Sequence, residues 1–204
     1  MSDTHFYEPA SGHGLPHDPF KAIIAPRPIG WISSLGENGR ANLAPYSIFN
    51  AFCSTPPIIG FSSEGWKHTV RNVAATGEFV FNLVTRALAD AMNISGAPFP
   101  EGVSEFEAAG LTPAPSRIVS VPRVGESPAA LECRLVSIQE MTDMDGEKLQ
   151  RFLVLGQVVG VHIDTAFLKD GLFDTAAANP IARCGYLADY ADVSSLFAMP
   201  RRGI

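Results

Sequence analysis

GRANLAPYSIFNAF, residues 39–52, is the stretch on which the reading of this chain turns. It is too apolar for a surface loop. Ala44-Pro45 also breaks it as a regular central strand, because proline offers no N–H to a ladder and is confined to edges, bulges and interruptions. Asn42, Tyr46, Ser47 and Asn50 add polar groups that must find partners if the segment is buried. Such a strand suits the rim of a sheet, where some backbone groups are freed from the ladder.

The flanks extend this reading. IGWISSL (29–35) is a short apolar run, and GENGR (36–40) contains Asn38-Gly39, a strong hairpin-turn signal, so ANLAPYSIFNAF (41–52) is expected to return as the partner strand. STPP (54–57) breaks the chain again and IIGFSS (58–63) reads as a buried strand. In EGWKHTVRNVAATGEF (64–79) the period changes: Val70, Val73 and Ala74 recur at helical spacing, and Gly77 is placed to end the helix. EFVFNLV (78–84) is a strand, and TRALADAMNIS (85–95) a helix with Leu88, Ala91 and Met92 on one face. Residues 97–116 carry four prolines and one short helical piece, the mark of a long functional excursion. Two long strands, in 129–141 and 149–163, flank a second turn signal at Asp145-Gly146. Six or seven strands, several joined by tight turns, with two or three short helices predict a mainly β fold, an antiparallel barrel with helical inserts. Residues 1–20 form an arm and 21–204 a single domain.

Composition excludes several classes. At 204 residues the chain suits one domain, and 46% hydrophobic with 18% charged residues is a globular composition. A net charge of −6 without a basic run argues against nucleic-acid binding. No apolar stretch reaches the roughly 20 residues that cross a bilayer, and the first 20 residues lack the pattern of a signal peptide. Cys53, Cys133 and Cys184 are odd in number and without CxxC spacing, which fits buried thiols in a reducing cytoplasm. His13 and His17 are four apart, but Gly14 and Pro16 work against a helical metal pair, and no zinc-type ligand set accompanies them.

There is no G-x-S-x-G, HExxH, P-loop or post-strand GxGxxG in the chain. What it has is a concentration of neutral hydrogen-bonding groups. Ser33 and Ser34 end one strand, Asn42, Tyr46 and Ser47 lie around the Pro45 break, and Ser62 and Ser63 close a third strand. Lys67, His68 and Thr69 open the helix, with Asn72 a turn later. A helix start carrying a lysine is an anion cradle by its backbone N–H groups, its dipole and its full charge. The alternative reading of Ser62, Ser63 and Thr69 is as simple helix caps, which stabilise by about 1 kcal/mol with no ligand.

RPIGWISS (27–34), NLAPYSIFNAF (42–52), PPIIGFSS (56–63) and KHTVRN (67–72) before GEFVFNLV (77–84) together resemble the flavin reductase-like family, FMN-binding proteins of the split β-barrel type. HGLPHDPFKAIIAP (13–26) and NPIARCGYLADYADV (179–193) resemble one branch of it, so the likeness covers nearly the whole chain. The resemblance implies that Asn42, Leu43, Ala44, Pro45, Tyr46 and Ser47 embrace the isoalloxazine ring and ribityl chain, with Ser33 and Ser34 alongside. It assigns the phosphate to Ser62, Ser63, Lys67, His68 and Thr69, with Asn72 behind them. His68 departs from the family, which more commonly has Asp there. Arg183 and Tyr186 fall in a tail segment that in similar proteins lies near the flavin or the dimer contact.

The activity implied is NAD(P)H-dependent reduction of bound FMN by hydride transfer, with FMN and NADH or NADPH as cofactors and no metal or catalytic side chain required. A homodimer is implied, and a flavin-dependent monooxygenase or another electron acceptor is the implied partner, with no nucleic acid or membrane involved. Two alternatives stand beside this: a non-catalytic FMN-binding electron carrier working with a partner protein, and a structural dimeric barrel in which the serines are only caps.

Overall fold

Ser47 and Ile48 separate two strands that finish at opposite edges of one sheet. The computed structural model describes residues 3–100, 102–200 and 202–203. Its main strands are β1 (Gly30–Leu35), β2 (Ala41–Tyr46), β3 (Phe49–Ser54), β4 (Pro57–Glu64), β5 (Glu78–Asn82), β6 (Ala129–Thr142) and β7 (Lys148–Ile163). They form a seven-stranded sheet in the order β2-β1-β5-β6-β7-β4-β3, every neighbouring pair antiparallel. Because the edge strands β2 and β3 are joined by two residues, the sheet must curl until its ends meet. It closes into a barrel that is split where β2 and β3 part.

The predicted single partner strand of residues 41–52 is thus two strands. The break falls at Ser47 and Ile48, not at Ala44-Pro45. Pro45 is accommodated within β2, opposite Trp31 of β1. The hairpin turn at Asn38-Gly39 forms as expected, with Gly39 at a φ of 76° and Gly36 N–H donating to the Arg40 carbonyl at 2.9 Å. The second turn places Gly146 at a φ of 87°. Register shifts at Leu155/Gly156 and Val158/Gly160 bend the long β6–β7 hairpin around the barrel.

Helix α1 (His68–Thr76) packs across the barrel mouth and ends at Gly77, whose N–H donates to the Val73 carbonyl at 2.9 Å. Val70 and Val73 are buried as the periodicity required, but Ala74 is exposed, and the other buried positions are Thr69 and Asn72. Helix α2 (Ala89–Ser95) follows a single 3-10 turn at Arg86–Leu88, and α3 (Glu105–Ala108) is the helical piece of the excursion. A further short strand, β8 (Ile181–Arg183), pairs with Arg27–Pro28.

Two cores result. Ile32, Tyr46, Ile59, Phe61, Phe79, Phe81, Cys133 and Val154 fill the barrel with Val70 and Val73 of α1. Ile29, Trp31 and Leu43 face the other way and pack against Met92, Phe106, Leu111, Val124 and Ile181. Strand β1 is therefore buried on both faces, and Ser33 and Ser34 are buried with its apolar residues. Trp31 ties the second core together, its indole N–H donating to Ser95 Oγ at 2.9 Å.

The cysteines differ from expectation. Only Cys133 is buried; Cys53 is exposed and Cys184 half-buried. The histidines of the arm serve local contacts: His13 Nδ1 accepts from Leu15 N–H at 3.0 Å, and His17 packs on Tyr186.

Candidate functional site

The edge position of β2 creates the site. Its residues alternate, so Asn42, Ala44 and Tyr46 face the barrel interior while Leu43 and Pro45 face the second core. Backbone groups alternate as well. Leu43 N–H points away from β1, and with it the position of Pro45, whose missing N–H costs this edge nothing. Along this edge runs a cleft of about 600 Å³ walled by Asn42, Ala44, Pro45 and Tyr46 on one side and by Trp66, Lys67, His68, Thr69 and Arg71 on another. Gly96 at the end of α2, with Ala97, Pro98, Phe99 and Glu105 of the excursion, closes it. It continues past Arg40, Asn38 and Asn72 into a further volume of about 400 Å³.

The start of α1 opens on this cleft. Its N-cap residue is Lys67, and no side chain caps it. The serine-cap reading is therefore overturned. Ser63 Oγ donates to the Gly65 carbonyl at 2.9 Å instead, and Thr69 Oγ1 accepts from Asn42 Nδ2 at 3.0 Å. The first-turn N–H groups lack a side-chain acceptor at a point where Lys67 and His68 are both exposed. Among the described residues, no ion pair involves Lys67, Arg40 or Arg71, although Glu105 and Glu107 line the same space as the two arginines.

Beneath the cleft floor lies a buried polar layer. Asn72 Nδ2 donates to Ser34 Oγ at 3.2 Å, and the Thr69 and Ser63 hydroxyls face the Tyr46 phenol. Burial pushes the Tyr46 phenol above its ordinary value, the two hydroxyls pulling the other way. Tyr46 is thus a neutral hydrogen-bonding group.

The sequence-predicted residues separate into three sets. Asn42, Ala44, Pro45, Tyr46, Lys67, His68 and Thr69 line the cleft, Asn72 its continuation, and Ser47 an adjoining pocket. Ser34 and Ser63 lie below as fully buried supports, and Leu43 offers only its backbone because its side chain is core. Ser33 and Ser62 are not brought to the site. Ser33, one residue out of phase with Ser34, donates to the Pro122 carbonyl at 2.6 Å and accepts from Asn82 Nδ2 at 3.3 Å. Ser62, out of phase with Ser63, lies on the outer side of β4 near Met141.

Sequence reasoning missed Trp66, Arg71, Arg40, Phe99 and Glu105. Trp66 is half exposed at the cleft and packs edge-on against Phe152. A tryptophan in a polar loop before a helix was its available signal. Glu105 takes the free Leu43 N–H of β2 at 3.4 Å, a contact across 62 positions that no local pattern announces.

With this geometry in view, the comparisons with known proteins identify the class. A profile of the flavin reductase like domain matches residues 24–178. An uncharacterized protein of Deinococcus radiodurans is 35% identical, over 98% of this chain and 91% of its own. The structure of nitrilotriacetate monooxygenase component B from Bacillus cereus superimposes with a TM-score of 0.87 at 29% identity, covering 98% of this chain and 100% of that one. The 2-nitrobenzoate 2-nitroreductase NbaA of Pseudomonas fluorescens superimposes with a TM-score of 0.80 at 27% identity, covering 90% and 89%. The chain belongs to the flavin reductase-like family and has its split-barrel fold.

Proposed function

We infer that the cleft binds FMN and that the protein is an FMN-dependent oxidoreductase reduced by NADH or NADPH. The observation that carries this reading is the start of α1: a helix N-terminus without a side-chain cap, bearing Lys67 and His68, opening on a 600 Å³ cleft along a free strand edge. The donor set suits the ligand. Lys67, His68 and the α1 N–H groups would hold the phosphate, with Thr69 and Asn72 fixing the floor beneath it. Asn42, Ala44, Pro45 and Tyr46 would face the ring and ribityl chain. Bound FMN would supply reversible two-electron transfer from a nicotinamide to an acceptor. The protein's part is to orient that ring, exclude water from one of its faces and present polar backbone to its edge.

The likeness to a monooxygenase component B supports a role as the reductase partner of a flavin-dependent monooxygenase. Apolar side chains exposed on the sheet, Phe52 of β3, Val136 of β6 and Val161 of β7, support a homodimer. Sedimentation velocity of the full chain should give twice the monomer mass of 21.8 kDa; a monomer at all concentrations would contradict the dimer.

The activity is tested by the anaerobic visible spectrum of the FMN-loaded protein before and after NADH, then NADPH. Bleaching of the flavin bands with either donor is the expected result. Bands that persist with both would replace the reductase by a carrier charged from another source.

A further inference from the structure

Beyond Pro45, on the side away from Lys67, the cleft opens into a second pocket of about 430 Å³. Pro45, Gly96 and Ala97 are common to both, so the two spaces adjoin. Ile29, Pro45, Met92 and Ala97 give this pocket apolar walls, and its polar groups are Ser47, Asn93, Arg183 and Tyr190. Among the described residues no carboxylate lines it; Asp90 and Asp192 line a neighbouring cavity that Arg183, Tyr190, Met92 and Asn93 also border.

Arg183 is the centre of this arrangement. Its Nη1 donates to Tyr190 Oη at 2.7 Å, and its Nη2 to the carbonyls of Leu187 and Tyr186. The guanidinium stacks over the Tyr190 ring at 4.7 Å from its centroid. These contacts hold the group rigidly and spend three of its five N–H donors, all on uncharged partners. Among the described residues, no carboxylate lies within ion-pair distance of Arg183; Asp189, the acid nearest in sequence, takes the Tyr186 N–H instead. Tyr190, having accepted from Arg183, keeps its own proton to donate. A preoriented cation without an ion-pair partner, beside three neutral donors and four apolar side chains, matches one ligand chemistry: a small organic acid with an apolar body.

We propose that this pocket binds the carboxylate of such an acid, Arg183 taking its charge and Ile29, Met92 and Ala97 its hydrocarbon part. Its position beside the cleft would set the bound acid next to the flavin, a placement that rests on the flavin reading, whereas the binding itself does not. The test is calorimetric titration of the full chain with benzoate and with benzamide, its uncharged counterpart of the same shape. Benzoate should bind at least about tenfold more tightly, the worth of one charge-assisted hydrogen bond. Arg183→Gln should abolish that preference. Because Arg183 also anchors the tail, Asn93→Asp provides a second variant at an exposed position; an added negative charge there should weaken benzoate and leave benzamide unchanged. Equal binding of the two ligands to the wild-type protein, binding of neither, or a preference that survives both variants would overturn the proposal. FMN titration of the wild-type protein separates the readings: FMN binding without discrimination between the two ligands sinks only the pocket, and discrimination without FMN binding sinks only the flavin site.

Discussion

At the scale of single residues, the decisive fact is phase. Ser33 and Ser34 are neighbours in a strand buried on both faces, so each hydroxyl is committed to a different core. Ser33→Ala would leave the Pro122 carbonyl without its donor and should destabilise the fold by about 1–3 kcal/mol, with FMN affinity unchanged; denaturant unfolding and flavin titration measure the two effects. A large loss of FMN affinity in a folded Ser33→Ala protein would contradict its placement. Glu132 is a second buried commitment. Burial alone would raise its pKa, but the Arg117 N–H, the His162 imidazole and the N–H groups of Val119 and Ile118 outweigh this and hold it at about 2. Since the folded value lies below the ordinary 4.5, its contribution to stability is complete above that pH and is lost as pH falls from 4.5 toward 2. Glu132→Gln should lower Tm at neutral pH and flatten its dependence on pH across that window. A melting profile as steep as that of the wild type would show that another carboxylate governs acid unfolding. Neither role was legible in sequence, because period-two alternation shows which residues share a face but not what that face meets.

At the scale of elements, the local signals were reliable where the chemistry is local. Asn38-Gly39 and Asp145-Gly146 specified their hairpins, and Gly77 ended α1, because a positive φ at one residue is decided by that residue. The break between β2 and β3 was misplaced because Ala44-Pro45 is the conspicuous interruption, whereas the true one is imposed by barrel closure. Pro45 sits within a strand only because its missing N–H faces the open edge. The cleft was legible in the same measure. The lysine-led helix start is read directly, but Glu105 and Phe99 reach it from an excursion whose path is set by tertiary packing. Glycine also acts here by close approach. A Cβ on Gly156 of β7 would meet Phe79 of β5 at 2.3 Å, so Gly156→Ala should cost about 1–3 kcal/mol through overpacking. Chemical denaturation measures this, and an unchanged midpoint would mean that the Phe79 ring has room to move.

At the scale of the whole molecule, one arrangement serves two ends. Curling the sheet until β2 and β3 meet leaves β2 with an unpaired edge, and α1 closes the barrel mouth beside it with its N-terminus turned to the same cleft. The fold thereby places a planar recognition edge and an anion-binding end within one groove, as a flavin nucleotide requires. The central claim is that Lys67 and the α1 start read the phosphate of that nucleotide. It is tested most directly by titrating the wild-type protein and Lys67→Ala with FMN and with riboflavin, following flavin fluorescence. The wild type should prefer FMN, and Lys67→Ala should weaken FMN by about tenfold or more while riboflavin binding is nearly unchanged. Equal losses for both ligands, or no effect on either, would contradict it.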